Sequence, residues 1–401
     1  MRRAVKRRSS RGPLTQAEIE QTGAWIASQQ RPSGEIPWCR DGKTDPWDLV
    51  HAAMGLTVAG RYEEAIAAFR FLARTQNEDG SWPAEWRGEM VSNATRETNH
   101  AAYLATGLWH LYLARQDVDF LAEMWPTLDG AIDFVVRMQE PCGGIAWALD
   151  PQGRPWRAPL LTGTSSIHGS LVCAVRIAER LQHDRPAWRR AREAVARLLR
   201  WNRERFERPD LPEPQGRHSM DWYYPVLGGA LRGRAGREHL LNAEQNAAFI
   251  EEGVGCRCVK DRPWYTVAES CELALALDAV GLTVRARQIV SWMSALRTEE
   301  GGYWTGTTHP DRILYPEGEQ TTWTAATVLL AHDALAGEGA TRTFFRDLAG
   351  DDLGVVEPLP APRPSVERPR VDRPGVERPG VGEHAEVASA VHGDDGDPAF
   401  G

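Results

Sequence analysis

Acidic or polar side chains recur beside aromatic or histidine side chains at six places in this sequence, spaced about fifty residues apart. Carboxyl groups can donate or accept a proton, an imidazole can relay one, and aromatic rings can wall a ligand pocket. If the fold brings the six places together, they form one candidate site. Its candidate catalytic residues are Asp48, Asp221, Glu269, His168 and Glu319, and its candidate substrate-binding residues are Trp47, His51, Asn99, His100, Trp222, Tyr223, Tyr224 and Trp323.

The segment DPWD places two carboxylates, Asp45 and Asp48, three residues apart. At this spacing both side chains project from one side of a helix's first turn, where they would share a site. Repulsion between two such carboxylates raises the pKa of one of them, which can then act as a general acid. We predict that Asp48 is the proton donor, that Asp221 and Glu269 are bases or charge stabilisers, and that His168 relays protons.

Helix capping is the structural alternative for the same residues. Asp, Ser and Thr accept hydrogen bonds from the free backbone N–H groups of a first turn, and acids complement the helix dipole, each for about 1 kcal/mol. Capping does not require aromatic and histidine neighbours at successive repeats, so the residues together still favour a polar, aromatic-walled pocket. The remaining candidates at the same rim are Asp45, Glu97, Ser165, Ser166, Glu272, Gln320 and Thr322.

Each of the six places opens a run of small and aliphatic residues that is typical of a buried helix. The runs are WDLVHAAMGL from Trp47, TNHAAYLATGL from Thr98, SSIHGSLVCAV from Ser165, DWYYPVLGGAL from Asp221, AESCELALALDAVGL from Ala268 and EQTTWTAATVLLA from Glu319. A repeat of this length is one helical hairpin, which buries its apolar face only by stacking on its neighbours. Six hairpins predict an all-α (α/α)6 toroid whose inner helices begin at one shared mouth.

A second repeated element ends amphipathic helices with Gln, Gly and Trp. Gln76, Gly80 and Trp82 in QNEDGSW match the Q-x-x-x-G-x-W repeat, and related segments occur at 28 to 38, 137 to 147 and 296 to 304. Across residues 14 to 346 the chain therefore resembles the terpenoid cyclase and protein prenyltransferase α/α-toroid superfamily, which includes the prenyltransferase and squalene oxidase repeat proteins. The resemblance implies a prenyltransferase or cyclase-like transferase or isomerase acting on an isoprenoid.

The motifs that initiate isoprenoid chemistry are nevertheless missing. No DxDD or DDxxD motif occurs in the chain. The prenyltransferases bind zinc through an Asp, a Cys two residues later and a distant His; the segment around His100 resembles their His-bearing helix, but Asp221 is followed two residues later by Tyr223. Zinc held by Cys256 and Cys258 with His100 or His168 remains possible, since thiolate and imidazole suit this metal.

Two other functions stay open. Six-hairpin glycosidases use the same architecture, and glycoside hydrolysis needs two carboxyl groups across a sugar ring with aromatic plates for the sugar. Asp48, Asp221, Glu269 and Glu319 would supply that pair. Alternatively, the toroid binds a lipid or saccharide without catalysis.

Composition sets the remaining limits. The 401 residues are 42% hydrophobic and 25% charged, which fits a large globular core, and no apolar stretch reaches the ~20 residues that span a bilayer. Without a basic stripe, a nucleic-acid partner is excluded, whereas the basic, aromatic segment 198 to 208 allows peripheral membrane contact. The six cysteines lack framework spacing, and we expect a cytoplasmic protein. We predict a basic disordered arm at 1 to 13 and a disordered, Pro- and acid-rich tail at 347 to 401.

Overall fold

The computed structural model describes residues 12–156, 158–206, 215–337 and 339–348. Most of these residues form helices in two concentric layers around one axis. The inner helices are α2 (Pro46–Val58), α4 (Thr98–Arg115), α6 (Leu161–Arg180), α8 (Ser219–Leu227), α11 (Val267–Ala279) and α13 (Thr322–Ala336). The other helices are α1 (Gln16–Gln29), α3 (Tyr62–Thr75), α5 (Val118–Arg137), α7 (Pro186–Trp201), α9 (Gly233–Leu240), α10 (Ala243–Phe249), α12 (Thr283–Trp292) and α14 (Thr341–Asp347).

The inner helices form a closed ring. Each packs against two others in the order α2, α4, α6, α8, α11, α13, and α13 returns to α2. The predicted (α/α)6 toroid is therefore confirmed. The sequence specifies the ring because its inner helices are apolar or small on every face: twelve of the thirteen residues of α2 are buried. At the closure a Cβ added to Gly55 would lie only 2.7 Å from the Cβ of Ala326, so the glycine lets α2 and α13 approach closely.

The Gln, Gly and Trp repeat fastens consecutive outer helices to one another. Gln76 Nε2 donates to the carbonyl of Gly80 at 2.9 Å and to that of Thr127, on α5, at 2.8 Å. Gln30 and Gln139 repeat this double contact, reaching carbonyls on α3 and α7. Gly80 adopts a φ of 90°, and a Cβ there would meet the Gly130 carbonyl oxygen at 2.1 Å. The motif therefore belongs to the outer layer, where it stabilises the stacking of hairpins.

Short antiparallel strands form in the loops that precede the inner helices, a feature that the all-α prediction did not include. They are β1 (Glu85–Arg87), β2 (Met90–Asn93), β3 (Arg96–Glu97), β4 (Ala148–Leu149), β5 (Pro155–Trp156), β6 (Ile250–Glu251), β7 (Gly255–Arg257), β8 (Trp264–Thr266) and β9 (Gly306–Thr308). The sheet orders are β1-β2, β3-β4-β5 and β6-β7-β8-β9. Because β3 runs directly into α4 and β8 into α11, these sheets surround the end at which inner helices begin, which we call the mouth.

Helix α14 lies across the opposite end of the ring. It packs against α11 and α13, with Phe344 and Phe345 buried. Thr341 Oγ1 hydrogen-bonds His110 Nε2 on α4 at 2.8 Å, and Arg346 forms an ion pair with Asp278 on α11 at 2.6 Å. This end is therefore filled by side chains of the chain itself.

Two sequence predictions fall largely outside the described residues. Residues 1–11 of the basic arm and 349–401 of the Pro- and acid-rich tail are not among them. Within the described ranges, no helix combines the length and apolar character needed to cross a membrane.

Candidate functional site

Asp45 and Asp48 meet at the mouth, at the first turn of α2. Asp45 is the N-cap residue, and its Oδ1 accepts a hydrogen bond from the Asp48 backbone N–H at 2.8 Å. Pro46 occupies the first helical position, where its fixed φ suits a helix start and its missing N–H costs nothing. Both carboxyl groups are buried, with exposures of 4% and 6%. Capping and a shared acidic site therefore occur together in this segment.

The two carboxyl groups of this pair have pKa values shifted in opposite directions. Burial, followed by the negative charge of Asp45 and a hydrogen bond between the two carboxyl groups, raises the pKa of Asp48 well above its ordinary value. Burial on its own would raise the pKa of Asp45. Hydrogen bonds from Asp48 and the nearby Lys43 ammonium outweigh this effect, so the pKa of Asp45 is lowered. Lys43 Nζ lies 3.9 Å from Asp45 Oδ2 and 2.8 Å from Glu85 Oε1. Asp48 can thus hold a proton that its neighbour cannot.

The beginning of α4 adds a second polar group. Glu97 Oε2 accepts a hydrogen bond from Trp147 Nε1 at 3.2 Å and lies 3.4 Å from His100 Nε2. Burial raises the pKa of Glu97. His100 Nδ1 and Asn99 Oδ1 are buried and have no hydrogen-bonding partner. Buried polar atoms of native proteins are nearly always paired, so these two are available to the polar groups of a ligand.

Helix α11 brings two glutamates to the same region, one turn apart. Glu269, in the first turn, is fully buried and accepts a hydrogen bond from Thr266 Oγ1. Glu272 accepts hydrogen bonds from Tyr223 at 2.6 Å and Tyr224 at 2.9 Å. The Glu272 charge is among the influences that raise the pKa of Asp48.

Stacked aromatic rings lie beside the carboxyl groups. Trp47 stacks on Tyr103 with ring centroids 4.1 Å apart and planes inclined by 17°. Tyr103 also stacks on His51, and its hydroxyl lies 2.9 Å from His51 Nε2. Trp323 approaches His51 edge-on at 6.4 Å. Tyr103 was missed by the sequence reasoning, although it follows His100 by three residues and hence shares its helix face, a signal that could have identified it.

Four predicted site residues have other surroundings. Asp221 accepts hydrogen bonds from the Thr162 N–H and hydroxyl and from the Gly216 N–H. Trp222 is buried and stacks on Phe249 of α10. The other two lie in different places. His168 lies two turns inside α6, and its Nδ1 is 2.8 Å from the Gly228 carbonyl oxygen. Burial lowers the pKa of His168 to about 4. Glu319 precedes α13 and accepts a hydrogen bond from Thr305 at 2.9 Å.

The residues considered for zinc have no common site. Cys256 and Cys258 are buried at the β7 region, while His100 and His168 lie on α4 and α6. Burial raises the pKa of both thiols, which favours the protonated form that does not bind metal. Among the described residues, no three His, Cys, Asp or Glu side chains are grouped so that they could hold a metal ion.

Comparison with known proteins finds one well-matched relative of the chain. It is 47% identical over 335 residues to the MMP endo-(1,4)-3-O-methyl-α-D-mannosidase of Mycolicibacterium hassiacum, an alignment that covers 84% of this chain and 90% of the relative. No protein-family model matches the chain.

Solved structures share the fold at much lower identity. A glycosidase variant in complex with glucose superposes with a TM-score of 0.58 and 16% identity, covering 80% of this chain and 97% of its own. A bacterial glucoamylase complexed with acarbose gives 0.60 and 13%, covering 83% and 57%. A D-mannose isomerase gives 0.55 and 12%, covering 79% and 95%. These likenesses concern architecture alone.

The resemblance to terpenoid cyclases and prenyltransferases is wrong, and so are the transferase or isomerase activity and the isoprenoid substrate inferred from it. The 47% identical relative is a mannosidase. The physical reason lies in the motif: Gln76, Gly80 and Trp82 fasten outer helices together and contribute nothing to the mouth. The comparisons support neither an isoprenoid partner nor membrane contact. They favour the glycosidase alternative, and the chain is an enzyme.

Proposed function

Because this chain belongs to the family of the Mycolicibacterium hassiacum endo-3-O-methylmannosidase, we propose that it is a glycoside hydrolase that cleaves α-(1,4) bonds within 3-O-methylmannose chains. The observation that supports this proposal most strongly is the buried Asp45–Asp48 pair at the mouth, in which burial and the Asp45 charge raise the pKa of Asp48. A glycosidase needs one carboxyl group in this state to protonate the oxygen of the departing sugar.

The proposed reaction uses Asp48 and Glu269 on opposite sides of the bond. Asp48 gives its proton to the glycosidic oxygen as the bond from that oxygen to C1 breaks. A water oxygen bonds to C1 from the other face, and Glu269 takes the proton that this water loses. Helices α2 and α11 are not neighbours in the ring, since α13 stands between them. In this reaction the water lies between the two carboxyl groups, and the configuration at C1 is inverted.

The surroundings suit a partly methylated sugar. The unpartnered His100 Nδ1 and Asn99 Oδ1 can exchange hydrogen bonds with free hydroxyl groups of the sugar. Trp47 and Trp323 bring apolar rings to either side of His51, which favours contact with C–H groups and with a 3-O-methyl group. A site built for a methyl ether gains hydrophobic burial there and loses a hydrogen bond that a hydroxyl would have made.

The test is cleavage of defined oligosaccharides by the purified chain. We expect a 3-O-methyl-α-(1,4)-mannan octasaccharide to give internal fragments by mass spectrometry, and the unmethylated octasaccharide to react more slowly. Proton NMR of the first product should show the β-anomer before mutarotation. Failure of a correctly folded chain to cleave either oligosaccharide would contradict the proposed function, whereas an initial α-anomer would contradict only the assignment of Glu269 as a base.

A further inference from the structure

Glu272 joins side chains from four inner helices, one turn below the proposed chemistry. It lies on α11 three residues after Glu269, and its two oxygens accept hydrogen bonds from Tyr223 and Tyr224 of α8. On α2, His51 Nε2 approaches Glu272 Oε1 at 3.4 Å. The fourth helix is reached through His51, whose Nε2 lies 2.9 Å from the Tyr103 hydroxyl of α4.

Two tyrosine hydroxyls hold this carboxyl group. Both tyrosine hydroxyls donate to Glu272, one to each oxygen, so the group acts as an acceptor on both sides. The 2.6 Å distance to Tyr223 is short for an O–H···O hydrogen bond, so this contact holds Glu272 closely. At 1% exposure the carboxyl group has almost no contact with bulk water, and the two hydroxyls provide its hydrogen bonds.

The contacts of Glu272 extend to the substrate-facing rings. His51 is held between Glu272 and Tyr103, and Tyr103 is stacked on Trp47. Trp47 directly precedes Asp48 in the chain, and His51 follows Asp48 by one helical turn. A displacement of Glu272 would therefore be passed to the Trp47 ring and to the turn that carries the proton donor.

We propose that Glu272 is a positioning residue, a hydrogen-bonded hub that orients the Trp47 and Tyr103 rings and the first turn of α2 for hydrolysis. The assignment rests on the proposed function and gives the two glutamates of α11 different roles. Glu269, in the first turn, is the proposed acceptor of the proton from water, whereas Glu272 lies one turn further along α11 and is held by two tyrosine hydroxyls.

One kinetic consequence separates this role from simple packing. The Glu272 charge adds to burial and to the Asp45 charge in raising the pKa of Asp48. Removing the charge should lower that pKa, so that Asp48 loses its proton at a lower pH and the alkaline limb of kcat/KM shifts towards acid. The titratable groups around Glu272 are Asp48 and His51 on α2, Tyr103 on α4, Tyr223 and Tyr224 on α8, Cys256 on β7, and Glu269 and Cys271 on α11.

The experiment compares Glu272→Gln with Glu269→Gln on the 3-O-methyl-α-(1,4)-mannan octasaccharide. We expect Glu272→Gln to retain activity with kcat lowered about 10- to 100-fold, as displacement of reacting groups by about 1 Å would produce, and with the alkaline limb shifted towards acid. Azide, which needs no base to attack C1, should restore turnover to Glu269→Gln and leave Glu272→Gln unchanged. Rescue of Glu272→Gln by azide, or unaltered kcat and pH profile in that variant, would overturn the proposal.

Tyr224→Phe keeps the proposal testable if Glu272→Gln does not fold. This variant removes one hydroxyl from the hub but leaves the carboxylate and its charge. We expect a smaller fall in kcat with an unshifted alkaline limb, and a shifted limb would contradict the charge argument. Near-ultraviolet circular dichroism of each variant without substrate reports on the Trp47–Tyr103 stack. If the variants change the Trp47–Tyr103 stack but the wild type cleaves no oligosaccharide, the role of Glu272 as a hub stands and the proposed function is rejected.

Discussion

Buried carboxylates have opposite electrostatic surroundings at the two ends of the toroid. At the end filled by α14, Asp278 is paired with Arg346 and also accepts a hydrogen bond from Thr283 at 2.7 Å. At the mouth, Asp48 faces the acid Asp45, and Lys43 is shared with Glu85. A charge paired with an opposite charge contributes to the fold, whereas two acids held together keep a proton available at the cost of mutual repulsion. The mouth thus differs from the filled end in having charges that the protein leaves incompletely compensated.

The largest effect expected from this difference is the loss of activity in Asp48→Asn. The amide cannot donate a carboxylic proton, and general acids contribute about 10²- to 10⁴-fold to rate, so we expect kcat to fall by that factor. Stability should be unchanged or slightly increased, because a repulsive pair is removed. Oligosaccharide cleavage and thermal denaturation measure the two quantities. Full activity combined with a loss of stability would show that Asp48 serves only the helix start.

Asp278→Asn should give the reverse result at the other end. The substitution leaves Arg346 without its anion, and we expect the free energy of unfolding to fall by about 1 to 3 kcal/mol, the smaller values being favoured because Arg346 is 35% exposed. The effect on kcat/KM should be small at temperatures where the variant is folded. Urea denaturation followed by assays at 25 °C would measure both. A large loss of activity in the folded variant would contradict the separation of the two ends.

Asp45→Asn tests how the mouth keeps its proton. Asparagine still caps a helix, so α2 should form normally. The Asp45 charge, after burial, raises the pKa of Asp48, and its removal should lower that pKa. In the proposed mechanism Asp48 acts while protonated, so activity should then be lost at a lower pH, which moves the alkaline limb of the kcat/KM profile towards acid.

The matched control for Asp45→Asn is Glu123→Gln. It removes a carboxylate that pairs with Arg70 on the outer surface, far from the mouth in the layered fold. The pH profile of this control should coincide with that of the wild type. An Asp45→Asn profile that coincides with it as well would mean that burial alone keeps Asp48 protonated.

The sequence predicts what depends on local spacing and misses what depends on distant partners. The apolar repeats predict the six hairpins, and the three-residue spacing of Asp45 and Asp48 predicts their shared turn. Glu272 was only one of many rim candidates, because its partners lie on other inner helices. His51, for example, is separated from it by 221 positions in the chain. Asp221 looks like Asp48 in sequence, yet its oxygens are engaged by Thr162 and Gly216. Its catalytic role therefore remains a prediction.

Gln76→Ala should have the smallest effect and would sharpen the distinction between fold signal and function signal. The substitution removes two hydrogen bonds that link Gln76 to the turn and to α5, which should lower the free energy of unfolding by about 1 to 2 kcal/mol. Because these contacts lie in the outer layer, kcat and KM should equal the wild-type values. Thermal denaturation and octasaccharide cleavage would measure both effects. Altered kinetics with unchanged stability would mean that the repeat communicates with the mouth, and that the motif carries information about the reaction as well as the architecture.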